Sequence, residues 1–232
     1  MAEVETISFE KAFERCKLPV NQLLTKEQQA IIMENINIVN YNRKDTIVKQ
    51  HSVSNHVYYI IKGTIKVSSE QRKGKNLVLK IDTTGSFVGL ISLLGSDSYN
   101  FTLTAIENCT LAQIPIASLK SVMLLNNRFA IEIIQLISRH SLFLINRLSG
   151  LLYKQLPGRV ADLILYFADD IYCNNEFEFP VNRTELAEFC GTTKESLIRT
   201  LSEFNHDRII ELERNRIKIV SYDILKTLSR LG

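Results

Sequence analysis

The segment Val181 to Phe204, VNRTELAEFCGTTKESLIRTLSEF, constrains the fold more than any other part of this 232-residue chain. Asn182 is a favourable N-cap residue and Glu185 follows it three positions later, which predicts a capping box at the start of a short helix. Gly191 adopts a left-handed conformation at low cost, so a tight turn is predicted after that helix. The segment therefore predicts two short helices joined by a glycine turn.

The second helix of the segment has one apolar stripe and one polar face. Thr192 or Thr193 can cap this helix, and the apolar residues Leu197, Leu201 and Phe204 repeat with helical spacing. The residues that this spacing leaves outside are Lys194, Glu195, Ile198, Arg199 and Ser202. A helix in the DNA major groove needs donors for guanine O6 and N7 and acceptors for cytosine N4, and this face supplies both.

The same face has a second interpretation. Glu195 could close a capping box with Thr192 and pair with Arg199 four residues later, as in many solvated helices. The residues that follow favour DNA recognition, because 209–212 and 217–220 alternate like two strands about Arg214 and Asn215. Two helices, a turn and a β-hairpin wing together are typical of a DNA-reading domain.

Net charge alone does not identify a nucleic-acid-binding protein, because the formal charge of the chain is only +3. The placement of the basic residues is more informative, since several of them fall where one face could present them to DNA. These residues are Arg183, Lys194, Arg199, Arg214, Arg216 and Lys218.

Cysteine spacing argues against a metal centre. The four cysteines, Cys16, Cys109, Cys173 and Cys190, are far apart and form no C-x-x-C pair, so no zinc or iron–sulfur site is indicated. Buried or idle thiols in a reducing cytosol are expected. The polar start MAEVETISFEK is unlike a signal peptide, and no apolar run reaches the roughly 20 residues that span a bilayer. We expect a cytoplasmic protein without a membrane partner.

The first half of the chain predicts a helix followed by a β-sandwich or barrel. Thr25 and Gln28 form a capping-box pattern within a helical segment, residues 1–35. Short β-branched segments then recur between Gly, Asn, Asp and Ser residues, with turns at Gly63 and QRKGKN. The predicted strands are 46–49, 57–62, 64–68, 77–81, 101–106 and 110–114.

A long helix is predicted next, from Asn126 to Leu152, and it carries two apolar stripes. One stripe comprises Ile133, Ile137, His140, Leu144 and Leu151, and the other includes Ile134, Ile145 and Leu148. Two stripes need two partners, so one is expected to pack on the protein's own barrel and the other on a second subunit in a two-fold dimer. We assign the first stripe to the dimer contact. The alternative is a central helix that is buried all round.

Pro157 and Gly158 predict a hinge after the long helix, followed by a helix from Arg159 to Asp170 with Val160, Leu163, Ile164 and Phe167 buried. The expected organisation is α+β in three parts. Residues 1–125 form a β-barrel effector domain, residues 126–155 the dimerisation helix and hinge, and residues 156–232 a winged helix-turn-helix domain.

With this order of elements, the chain resembles the Crp/Fnr superfamily of bacterial transcription regulators over nearly its whole length. The resemblance is specific in VYYIIKGTIKV and GSFVGLISLL, in LPGRVADLILYFA, and in NRTELAEFCGTTKESLIRTL. It implies a double-stranded β-helix of the cyclic-nucleotide-binding type, DNA as a partner and a contact with RNA polymerase.

The resemblance also implies roles for single residues. Base-reading positions fall on Lys194, Glu195 and Arg199, with Ile198 beside them where many relatives carry a small or hydroxyl residue. Phosphate-contacting positions fall on Asn182, Arg183 and Thr193, and the wing adds Arg216 and Lys218.

The effector site of that superfamily often holds a cyclic nucleotide, and this sequence departs from the pattern. Leu90 replaces the glutamate for the ribose, Tyr99 or Asn100 replaces the arginine for the phosphate, and Leu144 with Ile145 replaces the polar pair for the base. An unpaired phosphate is costly to bury, so we expect no tight binding of cyclic AMP. The predicted pocket residues are Phe87, Gly89, Leu90, Tyr99, Asn100 and Leu144, which suit an apolar ligand or none.

Other sensing chemistries have little support in the sequence. An iron–sulfur cluster needs several N-terminal cysteines, and Cys16 stands alone there. Haem stays an alternative, with His140 the best-placed axial ligand, although a histidine at such a position more often fills a dimer contact.

Two other functions have less support in the sequence than DNA-dependent regulation. A metal-dependent enzyme would need clustered histidines, but His51 and His56 are five apart and would point to opposite faces of one strand. We therefore predict no enzymatic activity. A regulator that acts by protein contact alone is the other alternative, and the polar face of the second helix argues against it.

Overall fold

The computed structural model describes residues 23–70 and 76–232, which form two compact units. The first unit contains the described residues up to Val67 together with Ile81–Ser141. The second contains the described part of Ser68–Lys80 together with Leu142–Gly232. The predictions for Cys16, for most of the first helical segment and for residues 71–75 of the QRKGKN turn lie outside the described residues.

Two four-stranded sheets follow a first helix, α1 (Lys26–Met33), in which Thr25 and Gln28 form the predicted capping box. The strand orders are β1-β8-β3-β6 and β2-β7-β4-β5, as expected for a double-stranded β-helix. The strands are β1 (Asn37–Tyr41), β2 (Thr46–Val48), β3 (His56–Lys62), β4 (Thr64–Glu70), β5 (Asn76–Thr83), β6 (Phe87–Val88), β7 (Thr102–Ala105) and β8 (Cys109–Pro115). A short helix, α2 (Leu90–Gly95), follows β6.

The sequence analysis missed β1 and β6. In β1 the apolar residues Ile38 and Val39 are adjacent, so the sequence does not alternate, and none of its residues is fully buried. Strand β6 contains only two residues. Each strand is defined by hydrogen bonds to its neighbours. His51 is also not on the strand that His56 begins, because it lies in a preceding turn with a φ of 69°. The prediction that His51 and His56 point to opposite faces of one strand is therefore wrong.

The core of the first unit forms where one face of β3 meets helices. Val57, Tyr59 and Ile61 lie in a cluster with the helices α1 and α3 (Ile116–Leu125). Phe129 and Ile133 of the long helix α4 (Asn127–Tyr153) complete this cluster, and both are almost fully buried. The start of the long helix is thus part of the first unit's core.

The burial of Ile133 corrects the predicted dimer contact. Ile133 is 0% exposed and Ile137 packs against the same core, so their stripe faces the protein's own domain in this part of the helix. His140, Leu144 and Leu151 are half-buried. The exposed apolar residues of α4 instead include Ile131, Ile134, Ile145, Leu148 and Leu152, all 50–66% exposed.

The hinge lies slightly earlier than Pro157 and Gly158. Helix α5 spans Leu156–Leu165, so Pro157 falls in its first turn, where the missing N–H costs no helical hydrogen bond. The helix continues as a π-helical stretch, Tyr166–Tyr172. Gly158 is buried against the end of the chain. A Cβ at this position would lie 2.8 Å from Cα of Gly232, so a larger residue would not fit without a shift.

The second unit contains the predicted helix-turn-helix and wing. Helix α6 spans Arg183–Cys190 and α7 spans Lys194–His206, with Gly191 between them at a φ of 60°. The wing strands are β10 (Ile210–Glu213) and β11 (Arg216–Ile219), and a short strand β9 (Glu176–Glu178) adds to β11. The first wing strand is therefore one residue later than predicted, the second is one residue earlier, and β9 was missed. A last helix, α8 (Tyr222–Leu231), packs on α5.

We predict that Gly191→Ala destabilises the protein by about 1–2 kcal/mol, because a left-handed φ is unfavourable for a residue with a Cβ. The added Cβ would also lie 2.8 Å from Cδ2 of Leu151. Urea unfolding measures the difference. Gly95→Ala is the matched control, since its Cβ would meet no atom within 4 Å. Equal stability of the two variants would contradict the turn assignment.

Candidate nucleic-acid interface

The polar face of α7 is exposed because its opposite face anchors the helix. Leu197, Leu201 and Phe204 are 0%, 1% and 4% exposed, as the helical spacing predicted. Lys194, Glu195 and Arg199 lie on the exposed side, together with Ile198, which is 42% exposed. The four residues predicted to read bases therefore share one solvent-facing surface.

Thr193 defines the start of α7. Its hydroxyl accepts a hydrogen bond from the Ser196 N–H at 3.2 Å and donates to Ser196 Oγ at 3.1 Å. Glu195 is the second residue of the helix, so it cannot form a capping box with Thr192. The solvated-helix alternative is wrong in this detail, and the Glu195 carboxylate remains on the exposed face.

Arg199 pairs with Glu203 rather than with Glu195. The Nε–Oε1 distance is 3.1 Å, and the two side chains are 83% and 53% exposed. An ion pair this exposed contributes only a few tenths of a kcal/mol. The Arg199 guanidinium can therefore exchange this partner for a base edge at little cost.

The phosphate-binding candidates at the start of α6 also have structural contacts. The Asn182 side chain accepts from the N–H groups of Thr184 and Glu185 at 2.9 and 3.1 Å, which completes the predicted capping box with Glu185. Arg183 Nη2 donates to the Arg214 carbonyl in the wing turn, and its guanidinium lies 5.4 Å from the Phe179 ring centre. Burial lowers the Arg183 pKa. Arg183 thus braces the first helix against the wing.

Two basic residues of the wing strands, Arg216 and Lys218, are already paired with carboxylates. Lys218 Nζ lies 2.9 Å from Glu211 Oε2, and this hydrogen bond raises the pKa of Lys218. Arg216 forms an ion pair with Glu176 on the neighbouring strand. The positive potential of the wing is therefore weaker than the count of basic residues suggested.

Arg147 is a structural residue of this unit that the sequence analysis missed. Its Nη1 donates to the carbonyls of Val78, at 2.9 Å, and Leu79, and its Nη2 donates to the Phe189 carbonyl at 2.6 Å. The guanidinium carbon lies 3.7 Å from the Phe189 ring centre. An arginine on a long helix gives no local signal of these contacts, because its acceptors are distant in sequence.

Comparison with known proteins agrees with this arrangement. Residues 38–126 match the cyclic nucleotide-binding domain family, and residues 158–228 match the Crp-like helix-turn-helix domain family. The chain belongs to the Crp/Fnr family of transcription regulators.

The similar proteins align with most of this chain. The cAMP-activated global transcriptional regulator CRP of Salmonella typhimurium is 20% identical over 191 residues, which are 81% of this chain and 91% of that protein. The structure of FixK2 from Bradyrhizobium japonicum has a TM-score of 0.79 at 16% identity, covering 85% of this chain and 99% of that one. A putative Crp/Fnr regulator from Eubacterium rectale has a TM-score of 0.73 at 20% identity, covering 92% and 98%.

These relatives are transcription regulators and not enzymes. None of the helices within residues 23–70 and 76–232 is long and apolar enough to cross a membrane. In the same residues, no group of three or more His, Cys, Asp or Glu side chains is arranged to hold a metal ion.

Most of the residues predicted to line the effector pocket are buried. Phe87, Leu90 and Tyr99 are 5%, 2% and 3% exposed. The Tyr99 hydroxyl donates to the His56 carbonyl at 2.6 Å and accepts from the His56 N–H at 3.1 Å. Gly89 is buried beside the Tyr99 ring.

The two remaining pocket candidates are not part of this packed group. Asn100 is exposed, and Leu144 belongs to the second unit. The pocket as a whole stays a prediction.

The described cysteines are free thiols, and two of them are buried. Burial raises the pKa of Cys190 to about 12 and also raises the pKa of Cys109. A thiol with a raised pKa holds little thiolate at neutral pH and is a poor nucleophile. Cys173 is exposed.

Proposed function

We propose that this Crp/Fnr regulator is a homodimer that reads a palindromic DNA operator through α7, and that its effector is not cyclic AMP. The observation that carries the proposal is the exposed face of α7, where Lys194, Glu195 and Arg199 present donors and an acceptor on a helix anchored by a buried stripe. RNA polymerase is the further partner that the family resemblance suggests.

The residues of this face suit three kinds of base contact. The Arg199 guanidinium and the Lys194 ammonium can donate to guanine O6 and N7, and the Glu195 carboxylate can accept from cytosine N4. Ile198, which is 42% exposed, is suited to an apolar contact with a thymine methyl group. Thr193, Asn182, Arg183, Arg216 and Lys218 would contact phosphates around them and set the register of the helix.

We predict that Arg199→Ala weakens binding to the specific operator by about 1–3 kcal/mol and changes binding to random DNA little, because a base contact carries sequence information. Lys218→Ala should weaken binding to both DNAs and reduce the salt dependence, because a phosphate contact does not depend on sequence. Mobility-shift titrations with the protein's own upstream region would measure both effects.

The Arg199–Glu203 ion pair requires a matched control in this experiment. Glu203→Ala removes the same ion pair but leaves the guanidinium in place, so its affinity for the operator should stay close to wild type. Equal losses on specific and random DNA for Arg199→Ala would refute the base-reading role.

The dimer proposal rests on the exposed stripe of α4. Ile131, Ile134, Ile145, Leu148 and Leu152 occupy a and d positions of one heptad frame. The two intervening positions are Ser138 and Ser141, whose hydroxyls donate to carbonyls of their own helix at 2.9 and 3.0 Å. The stripe therefore contains apolar or small, internally satisfied residues. The same stripe of a second copy is its natural cover.

We predict that replacing Ile145 and Leu148 together by glutamate converts the dimer to a monomer, because four carboxylates would meet at the helix contact. Sedimentation at micromolar concentration would show the change. Arg139→Glu is the control, since Arg139 is exposed on the same helix but lies outside the a and d positions. A wild-type monomer, or an unchanged dimer in the double variant, would contradict the proposal.

The proposal on the effector follows from the substituted pocket. Relatives of this chain are named as cAMP-activated. Leu90, which stands where the family resemblance implies a glutamate for the ribose, is 2% exposed within an apolar core. Tyr99, one of the two residues at the arginine position, uses its hydroxyl on the His56 backbone. A cyclic phosphate would be buried here without the arginine that the family pattern provides, at a cost of several kcal/mol.

We predict that calorimetric titration with cyclic AMP detects no micromolar binding to the purified protein. Cyclic AMP should also leave its affinity for the operator unchanged. Micromolar affinity in the titration would overturn this part of the proposal while leaving the DNA-reading part intact.

A further inference from the structure

The second unit contains a cavity of about 330 Å³ among the long helix α4, helix α5 and the end of α6. Every residue that lines it belongs to this unit. The volume lies at the lower end of the range for small-molecule sites, which is about 300–1,000 Å³. The cavity is separate from the effector-pocket candidates of the β-sheets and from the exposed face of α7.

Two guanidinium groups line the cavity without a carboxylate partner within the described residues. Arg147 donates to backbone carbonyls, and Arg159 forms no ion pair with any residue of 23–70 or 76–232. The Nε atom of Arg159 is buried and has no hydrogen-bond partner in the described part of the chain. A buried donor in this state is unusual in a folded protein and needs an acceptor.

The acidic residues around the cavity do not supply that acceptor. Asp162 is engaged by Lys154 Nζ at 2.7 Å and by the Ser229 hydroxyl at 2.6 Å. Asp169 accepts from the Tyr222 hydroxyl at 2.6 Å, and both Asp169 and Asp170 are exposed. The acidic side chains therefore occupy an existing ion pair and the solvent-facing edge. Arg147 is satisfied by backbone carbonyls, whereas Arg159 has no carboxylate partner among the described residues.

Aromatic side chains form an apolar wall of the same cavity. The ring centre of Tyr166 lies 5.3 Å from that of Phe143 and 5.3 Å from that of Phe189, and the rings of Tyr166 and Phe189 are stacked. Leu151 and Leu165 add aliphatic surface. A flat ring suits such a wall, because aromatic pairs favour offset-stacked and edge-to-face contacts.

We propose that this cavity binds a small organic anion that carries a flat apolar ring. Its carboxylate or phosphate would accept hydrogen bonds from the Arg159 guanidinium side-on, through Nε and one terminal nitrogen after a small rotation of that side chain. Its ring would lie against Phe143 and Tyr166. The occupant would contact α4, α5 and the end of α6 together, so it would hold the first helix of the DNA-reading pair against the long helix.

The experiment uses the full-length protein without DNA, and benzoate, phenyl phosphate and the neutral benzamide as probes. We expect benzoate and phenyl phosphate to shift the Arg159 Nε–Hε signal in ¹H–¹⁵N NMR saturably, with dissociation constants on the order of 1 mM for ligands of this size. Benzamide should bind about tenfold more weakly, because it lacks the charge. Binding measured without DNA can succeed or fail independently of operator recognition.

Variants locate the bound anion. Arg159→Gln should weaken benzoate binding by about tenfold or more, whereas Arg230→Gln, which removes an exposed arginine of the same unit, should leave it unchanged. Asn146→Phe provides a second test that does not disturb the core, because Asn146 is exposed at the cavity and a large ring there would occlude it. The proposal fails if no probe binds saturably, if benzamide binds as well as benzoate, or if Arg159→Gln and Asn146→Phe both bind like wild type.

Discussion

The arrangement of the second unit depends on the hydrogen bonds that the Arg147 guanidinium donates. The guanidinium joins the first half of β5, the long helix and the carbonyl of Phe189 in the last turn of α6. Burial lowers its pKa to about 10, yet the group stays charged at neutral pH, so its hydrogen bonds are charge-assisted. Such bonds contribute about 1.5–3 kcal/mol each, and removal of the side chain would also leave desolvated carbonyls without a donor. The first helix of the DNA-reading pair is thereby held to α4.

Helix α7 depends on this anchored first helix through a short chain of local constraints. Gly191 ends α6 in a left-handed conformation, Thr193 caps α7, and the buried stripe of α7 holds the helix in place. Only then do Lys194, Glu195 and Arg199 share one exposed surface. Their charges are screened by water, so the fold can present them on the surface at little energetic cost.

Local features could be predicted from the sequence because their causes lie within a few residues. The capping boxes at Thr25 and Asn182, the left-handed Gly191 and the buried stripe of α7 were all confirmed. Strands β6 and β9 were missed because two or three residues carry too little pattern and exist as strands only through pairing with distant segments. Strand β1 was missed because its adjacent Ile38 and Val39 break the alternation of apolar and polar residues. The start of α5 was misplaced because proline is compatible with the first turn of a helix, and its presence alone does not distinguish a hinge from a helix start.

The sequence by itself determined the order of the elements, the helix-turn-helix and which residues of α7 lie outside. Helical periodicity also showed that α4 carries two apolar stripes. Only the tertiary structure decided which of these stripes the core of the first unit covers, because both have the same local pattern and differ only in what packs against them. Ile133 is buried and Ile134 is 50% exposed for this reason. The acceptors of Arg147 were likewise decided by contacts 42 to 69 residues away in sequence, which no local pattern encodes.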